Sequence, residues 1–160
     1  MSASVIDGVR LLEFSQLGDA RGHLVVIEGD GYDIPFSIKR IFYIYGSESN
    51  VVRGQHANIY TEFVLINISG SSKIRVLDGK GNEAVVSLTR PHTGIYISRM
   101  VWKDMYDFSE DSVLLVLASE HYDASEYIRN YDEFIALVQH RQGEEGERNE
   151  IIHNNSSLLQ

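Results

Sequence analysis

Short apolar runs punctuated by turn-forming residues make up most of the chain. Runs over 9–14, 23–28, 37–45, 60–69, 72–77, 83–88, 93–97, 101–108 and 112–118 predict β-strands. Between them stand Gly29-Asp30-Gly31, Gly46-Ser47, Gly70-Ser71, Asp78-Gly79-Lys80-Gly81 and Ser109-Glu110-Asp111. Lys73-Ile74-Arg75-Val76 alternates polar and apolar residues, as a half-buried strand does, whereas 63–66 and 113–117 are apolar throughout and suit strands buried on both faces. Strands this short and this regularly spaced predict an all-β jelly-roll barrel, not βαβ units. The period changes once. Tyr131, Phe134, Ile135 and Val138 keep i, i+3, i+4, i+7 spacing, which predicts one C-terminal helix over 132–141. One domain is expected over residues 5–140. Residues 143–160 carry four glutamates against one arginine, amid Gly, Asn and Ser, and are expected to form a disordered acidic tail.

Composition narrows the function classes. At 160 residues, 43% apolar and 23% charged, the chain has the make-up of one globular domain. Its net charge of −9 argues against a nucleic-acid partner, because phosphate-backbone affinity comes from Lys and Arg. No run approaches the ~18 apolar residues of a membrane span, and the first residues lack the basic and apolar regions of a secretory leader. There is no cysteine, so disulfides, thiolate metal sites and cysteine nucleophiles are excluded. A cytoplasmic protein is expected.

Candidate chemistry concentrates in Arg53-Gly54-Gln55-His56-Ala57-Asn58 and in Glu62 four residues on. Alternate strand residues share a face, so a regular strand would aim His56, Asn58 and Glu62 the same way. As a metal site this set is incomplete. His56 and Glu62 are suitable ligands and Asn58 is a poor one, while the later Trp102-Lys103-Asp104-Met105 offers a lysine where another imidazole would be needed. No metal and no other cofactor is therefore expected. Gly-rich phosphate loops, nucleophile elbows and dinucleotide fingerprints are absent. Proton transfer remains, with His56 as acid or base and Tyr43, Tyr45, Tyr60 or Tyr96 as candidate donors. Arg21, Arg40 and Arg53 could hold a diphosphate through charge-assisted forks.

Several segments in order resemble the sugar-nucleotide 3,4-ketoisomerases, cupin-fold enzymes that act on dTDP-4-keto-6-deoxyglucose. They are Asp19-Ala20-Arg21-Gly22, the stretch from Ile34 to Arg40, Phe42-Tyr43-Ile44, Arg53-Gly54-Gln55-His56-Ala57, Val101-Trp102, Asp107-Phe108-Ser109, the stretch from Val116 to Ser119, and Tyr122-Asp123 leading to Phe134. The resemblance covers about residues 11–137. It implies a cupin barrel, a metal-free reaction, a dTDP-linked keto sugar as substrate, a homodimer and a place in deoxysugar biosynthesis. It also implies a catalytic group of His56, Tyr43 and Asn58, with Arg21, Arg53, Glu62, Trp102 and Lys103 binding substrate. Two positions depart from the family pattern: Asn58 stands where the motif continues to a second histidine, and Lys103 where an imidazole is often found. Asparagine does not exchange a proton near neutral pH. Three readings follow. His56 performs both transfers, a tyrosine or Lys103 supplies the second, or the barrel binds a sugar nucleotide without isomerising it. Keto-sugar epimerisation is a lesser alternative.

Overall fold

The computed structural model describes residues 2–157, with side chains described through His153. The strands are β1 (Ser2–Ile6), β2 (Val9–Glu13), β3 (Gln16–Asp19), β4 (Gly22–Val25), β5 (Arg40–Tyr45), β6 (Arg53–Asn58) and β7 (Phe63–Ser69). There follow β8 (Ser72–Leu77), β9 (Glu83–Leu88), β10 (Thr93–Ile97), β11 (Trp102–Tyr106), β12 (Val113–Ala118) and β13 (Tyr127–Ile128). A 3₁₀ turn at Ala124–Glu126 precedes β13, and one helix, α1 (Tyr131–Ser157), ends the described chain.

Two antiparallel sheets face each other, ordered β1-β2-β10-β7-β12-β5 and β13-β6-β11-β8-β9, while β3 and β4 form a separate hairpin. β10 sits between β2 and β7, and β12 between β7 and β5, so neighbours in space are distant in sequence, as in a Greek-key jelly roll. Strand alternation divides the apolar residues into three sets. Phe63, Leu65, Ile74, Val76, Ile95 and Val116 belong to the core between the sheets. Val64, Ile66, Tyr96 and Leu117 point the opposite way, against Ile34 and Phe36 of the long connection before β5. The third set lies under α1. Ala57, Leu77, Trp102 and Ile128 meet Phe134 and Val138 there. Full burial of Phe134 removes a large aromatic surface from water and fixes the helix to the second sheet.

Asn130 caps α1, its Oδ1 accepting the Glu133 amide at 2.9 Å, and Asp132 and Glu133 suit the positive end of the helix dipole. Gly79, at φ +75°, lets the β8–β9 turn pass directly beneath the helix; a Cβ there would stand 2.9 Å from Val138 Cγ2.

The observed helix is longer than the apolar spacing predicts. It continues through the acidic segment to Ser157, although every described side chain from Gln139 onward is exposed. Once the packed first turns have supplied the nucleus, the Gln, Arg and Glu residues that follow are good helix formers and need no apolar face. The exposed pair His140–Glu144 adds an i, i+4 contact. Strand boundaries differ too: 60–69 begins only at Phe63, and Arg53–Asn58 forms a strand of its own.

Candidate active site

β6 carries the central side chains, and a bulge aims them. Lys103 of β11 pairs with His56, yet the next β11 residue, Asp104, pairs with Gly54, leaving Gln55 as the extra residue. Gly54 (φ +81°) and Gln55 (φ +53°) both take left-handed backbone conformations. Glycine is required at 54 because a Cβ would approach the Lys103 carbonyl to 2.8 Å. Beyond the bulge, alternation sends His56, Asn58 and their neighbour Lys103 to the inner face of the sheet, while Ala57 and Trp102 face α1.

His56 Nδ1 lies 2.9 Å from the Gly54 carbonyl. A carbonyl only accepts, so neutral His56 carries its proton on Nδ1 and presents the lone pair of Nε2. The ring packs at 4.8 Å against Tyr127 and is half-buried. Burial pushes its pKa down to about 4; the Lys103 charge pushes the same way, the Gly54 bond opposes, and Arg129 adds a smaller downward push. The imidazole is therefore a neutral acceptor near pH 7.

Beneath it runs a buried polar chain. Lys103 Nζ donates to Asn58 Oδ1 at 2.9 Å, and Asn58 Nδ2 donates to Glu126 Oε1 at 3.0 Å. Glu126 also accepts the Tyr60 and Thr61 amides at 3.0 Å each, and the Thr61 hydroxyl. Lys103 and Glu126 are 4% and 1% exposed, so an ammonium and a carboxylate share the interior with one amide joining them. Asn58 suits that joint because an amide accepts at oxygen and donates at nitrogen without changing charge. Desolvation lowers Lys103 to about pKa 7, and Glu126 opposes the fall. The Phe63 ring lies 4.5 Å from its Nζ.

A line of rings and cations crosses to the first sheet. Arg129 sits 4.9 Å over Tyr127, Tyr127 is 5.7 Å from Tyr122, and Arg40 is 5.6 Å from Tyr122 and 5.5 Å from Phe42. Arg40, Ala118 and Phe63 align across β5, β12 and β7, which puts this line at the Lys103 end of the barrel. Arg40 Nε and Nη2 are buried with no hydrogen-bond partner. Cations beside exposed aromatic faces suit an anionic ligand that also carries a flat ring.

The structure gathers His56, Asn58 and Lys103, and it separates the other expected site residues from them. Tyr43 points outward from β5, 62% exposed and stacked on Tyr45, because Arg40, Phe42 and Ile44 take the inward positions of that strand. Glu62 lies beyond the end of β6, where a bend at Ile59–Tyr60 breaks the alternation; it accepts from the Tyr96 hydroxyl on the outer face of the first sheet. Trp102 is buried under α1, edge-on to Tyr131, with Nε1 donating to Asp104 at 3.1 Å. Its neighbour Lys103 points inward, so both cannot face one ligand. Arg21 is paired with Asp19 on the exposed hairpin, and Arg53 is exposed at the far end of β6.

Sequence reasoning missed Glu126, Tyr127 and Arg129. The one local signal was Asp123-Ala124-Ser125-Glu126, in which an acidic cap is followed three residues later by a glutamate. Asp123 does cap the turn, bonding the Ser125 amide at 2.9 Å, but Glu126 turns inward instead of back to the cap. Among the described residues no group of three or more His, Asp or Glu side chains is arranged to hold a metal. A groove of about 590 Å³ runs between the β1–β2 edge and β9, and the His56 group does not border it.

Residues 7–139 match the family described as FdtA, WxcM-like, C-terminal. The TDP-4-oxo-6-deoxy-alpha-D-glucose-3,4-oxoisomerase of Aneurinibacillus thermoaerophilus is 42% identical over 78% of this chain and 88% of its own. A solved relative is the 3,4-ketoisomerase QdtA from Thermoanaerobacterium thermosaccharolyticum, as a histidine-to-asparagine variant in complex with TDP-4-keto-6-deoxyglucose. It is 43% identical, with a TM-score of 0.82 over 86% of this chain and 98% of its own. The TDP-quinovose 3,4-ketoisomerase WlaRB from Campylobacter jejuni is 44% identical, with a TM-score of 0.78 over 82% and 99%.

Proposed function

Because the chain belongs to the FdtA, WxcM-like C-terminal family, we propose that it is a sugar-nucleotide 3,4-ketoisomerase acting on a dTDP-linked 4-keto-6-deoxyhexose in deoxysugar biosynthesis. The observation that carries this reading is His56: a neutral imidazole on the inner face of the barrel, with Nδ1 occupied and Nε2 presented as a base. Isomerisation breaks the C3–H bond, and that electron pair becomes the C3=C4 bond while the C4 carbonyl oxygen takes a proton. The enediol then loses its O3 proton to form the C3 carbonyl, and C4 receives a proton. His56 Nε2 takes the C3 proton and returns one to C4. Arg40 and Arg129 replace Arg21 and Arg53 as the proposed diphosphate contacts, because their guanidinium groups belong to the same line of rings as His56.

The direct test is incubation with dTDP-4-keto-6-deoxyglucose in deuterated water, followed by NMR. Deuterium at C3 or C4 together with the 3-keto product supports the proposal. The His56→Asn variant is expected to lower the rate by about 10²–10⁴-fold while keeping dTDP affinity. Tight dTDP binding without exchange would favour the second reading, a non-catalytic sugar-nucleotide-binding cupin. That alternative rests on Asn58, a group that does not titrate, at the second motif position.

We further propose a cytoplasmic homodimer. Leu17 and Leu24 on the β3–β4 hairpin, with Ile41, Tyr43 and Tyr45 along β5, form exposed apolar surface that a second copy would cover. Sedimentation is expected to give a dimer for the natural chain and a monomer for the I41E/Y43E double variant. A natural chain that sediments as a monomer at micromolar concentration would refute the assembly.

A further inference from the structure

The isomerisation proposed above needs a proton at the sugar oxygen as well as at carbon. We propose that Lys103 is the second proton carrier of this site, giving a proton to O4 while His56 takes the one from C3, with Asn58 as the amide that aims the lysine. This inference rests on the isomerase reading. Lys103 and His56 are directly paired across β11 and β6 and share the inner face, so a sugar against the imidazole is next to the amine. One Lys103 N–H goes to Asn58 Oδ1 at 2.9 Å, and the Phe63 ring limits where the remaining N–H bonds can point. The groups facing Lys103 and its partner come from three elements: His56 and Asn58 from β6, Glu126 from the 3₁₀ turn, and Tyr127 with Arg129 from β13 and the residue after it. Asn58 accepts from Lys103 on one side and donates to Glu126 on the other, as a neutral imidazole could, so the titrating group at this point is the amine it holds.

The proton balance closes without another reagent. Lys103 in its ammonium form protonates O4 as the enediol forms. The resulting amine accepts the O3 proton as the C3 carbonyl forms, which restores the ammonium. Both protons return to the sugar or to the protein within one cycle. Lys103 near pKa 7 suits both halves, since neither form is strongly favoured at neutral pH.

The test is the pH profile of exchange and turnover of TDP-4-keto-6-deoxyglucose by the full chain. Activity is expected to be flat between about pH 4, where His56 begins to protonate, and about pH 7, above which Lys103 is no longer an acid. Lys103→Met is expected to slow the reaction by about 10²-fold or more and to abolish the alkaline fall, with TDP affinity changed by less than about threefold. Lys103→Arg keeps the charge but does not release a proton near neutrality, and it is expected to be as slow as Lys103→Met. Should Lys103→Met fail to fold, the K103M/E126Q pair removes both buried charges together and is read in the same way. Rescue by Lys103→Arg, or a methionine variant with natural rate and profile, would overturn the role of Lys103 and leave the isomerase reading standing. A natural chain that binds TDP but neither exchanges nor turns over the sugar would overturn the isomerase reading itself.

Discussion

The β6–β11 pair has two faces, and residues adjacent in sequence end on opposite ones. Outward, Ala57 and Trp102 join Phe134 and Val138 in a dry apolar layer. Inward, Lys103 leads through Asn58 to Glu126 by two hydrogen bonds, and His56 lies beside them, bonded to the Gly54 carbonyl. The outer face gains stability from area removed from water. The inner face buries a cation and a carboxylate, whose desolvation is only offset by the bonds between them. One pair of strands therefore anchors the fold on one side and concentrates chemically active groups on the other.

The largest effect is expected from the inner face. Glu126→Ala would leave Lys103 buried without its counter-charge and the Tyr60 and Thr61 amides without their acceptor. The expected loss is about 3–5 kcal/mol, measured by urea unfolding. Phe134→Ala attacks the other face by opening a cavity between α1 and the sheet, with an expected loss of about 3–4 kcal/mol and inner-face chemistry largely kept in whatever fraction stays folded. Similar losses of stability, with activity per folded molecule lost in Glu126→Ala and kept in Phe134→Ala, would confirm that the two faces do different jobs.

A smaller effect separates the faces by pH. His56 has a lowered pKa when folded, so as pH falls below about 6.5 the unfolded chain takes up a proton before the native one does. Stability should fall from about pH 6.5 down to about pH 4 and level off below that. The His56 contribution is about 3 kcal/mol over this window. His56→Asn should flatten that part of the profile, whereas Phe134→Ala should shift the curve without changing its shape. The smallest effect is expected from deleting residues 143–160. No described side chain there is buried, so calorimetry should show a change below about 0.5 kcal/mol.

Much of the outer face was legible in the sequence. The i, i+3, i+4, i+7 spacing of Tyr131, Phe134, Ile135 and Val138 identified a helix with one apolar stripe, and that stripe packs. Glycines and acidic residues after Arg141 suggested irregular chain, yet helix propensity and a preformed nucleus carry α1 onward. On the inner face, His56 and Asn58 followed from alternation, but Glu62 did not, because regular strand stops at Asn58. Tyr43 and Trp102 were grouped with His56 by family pattern; their places depend on which parity of β5 and β11 faces inward. Two strands of mixed polarity leave that parity undetermined until their partners are known.

The β-rich class, the absence of thiol chemistry and the departure of Asn58 from a two-histidine motif are readable in the sequence alone. Those properties belong to local residue types and short-range periodicity. The tertiary structure alone makes Glu126, and not Glu62, the carboxylate partner, brings the buried Lys103 amine beside His56, and makes Asn58 the joint between Lys103 and Glu126. Such choices depend on residues far apart in the chain meeting inside one barrel, where desolvation makes each unpaired polar group too costly to leave alone.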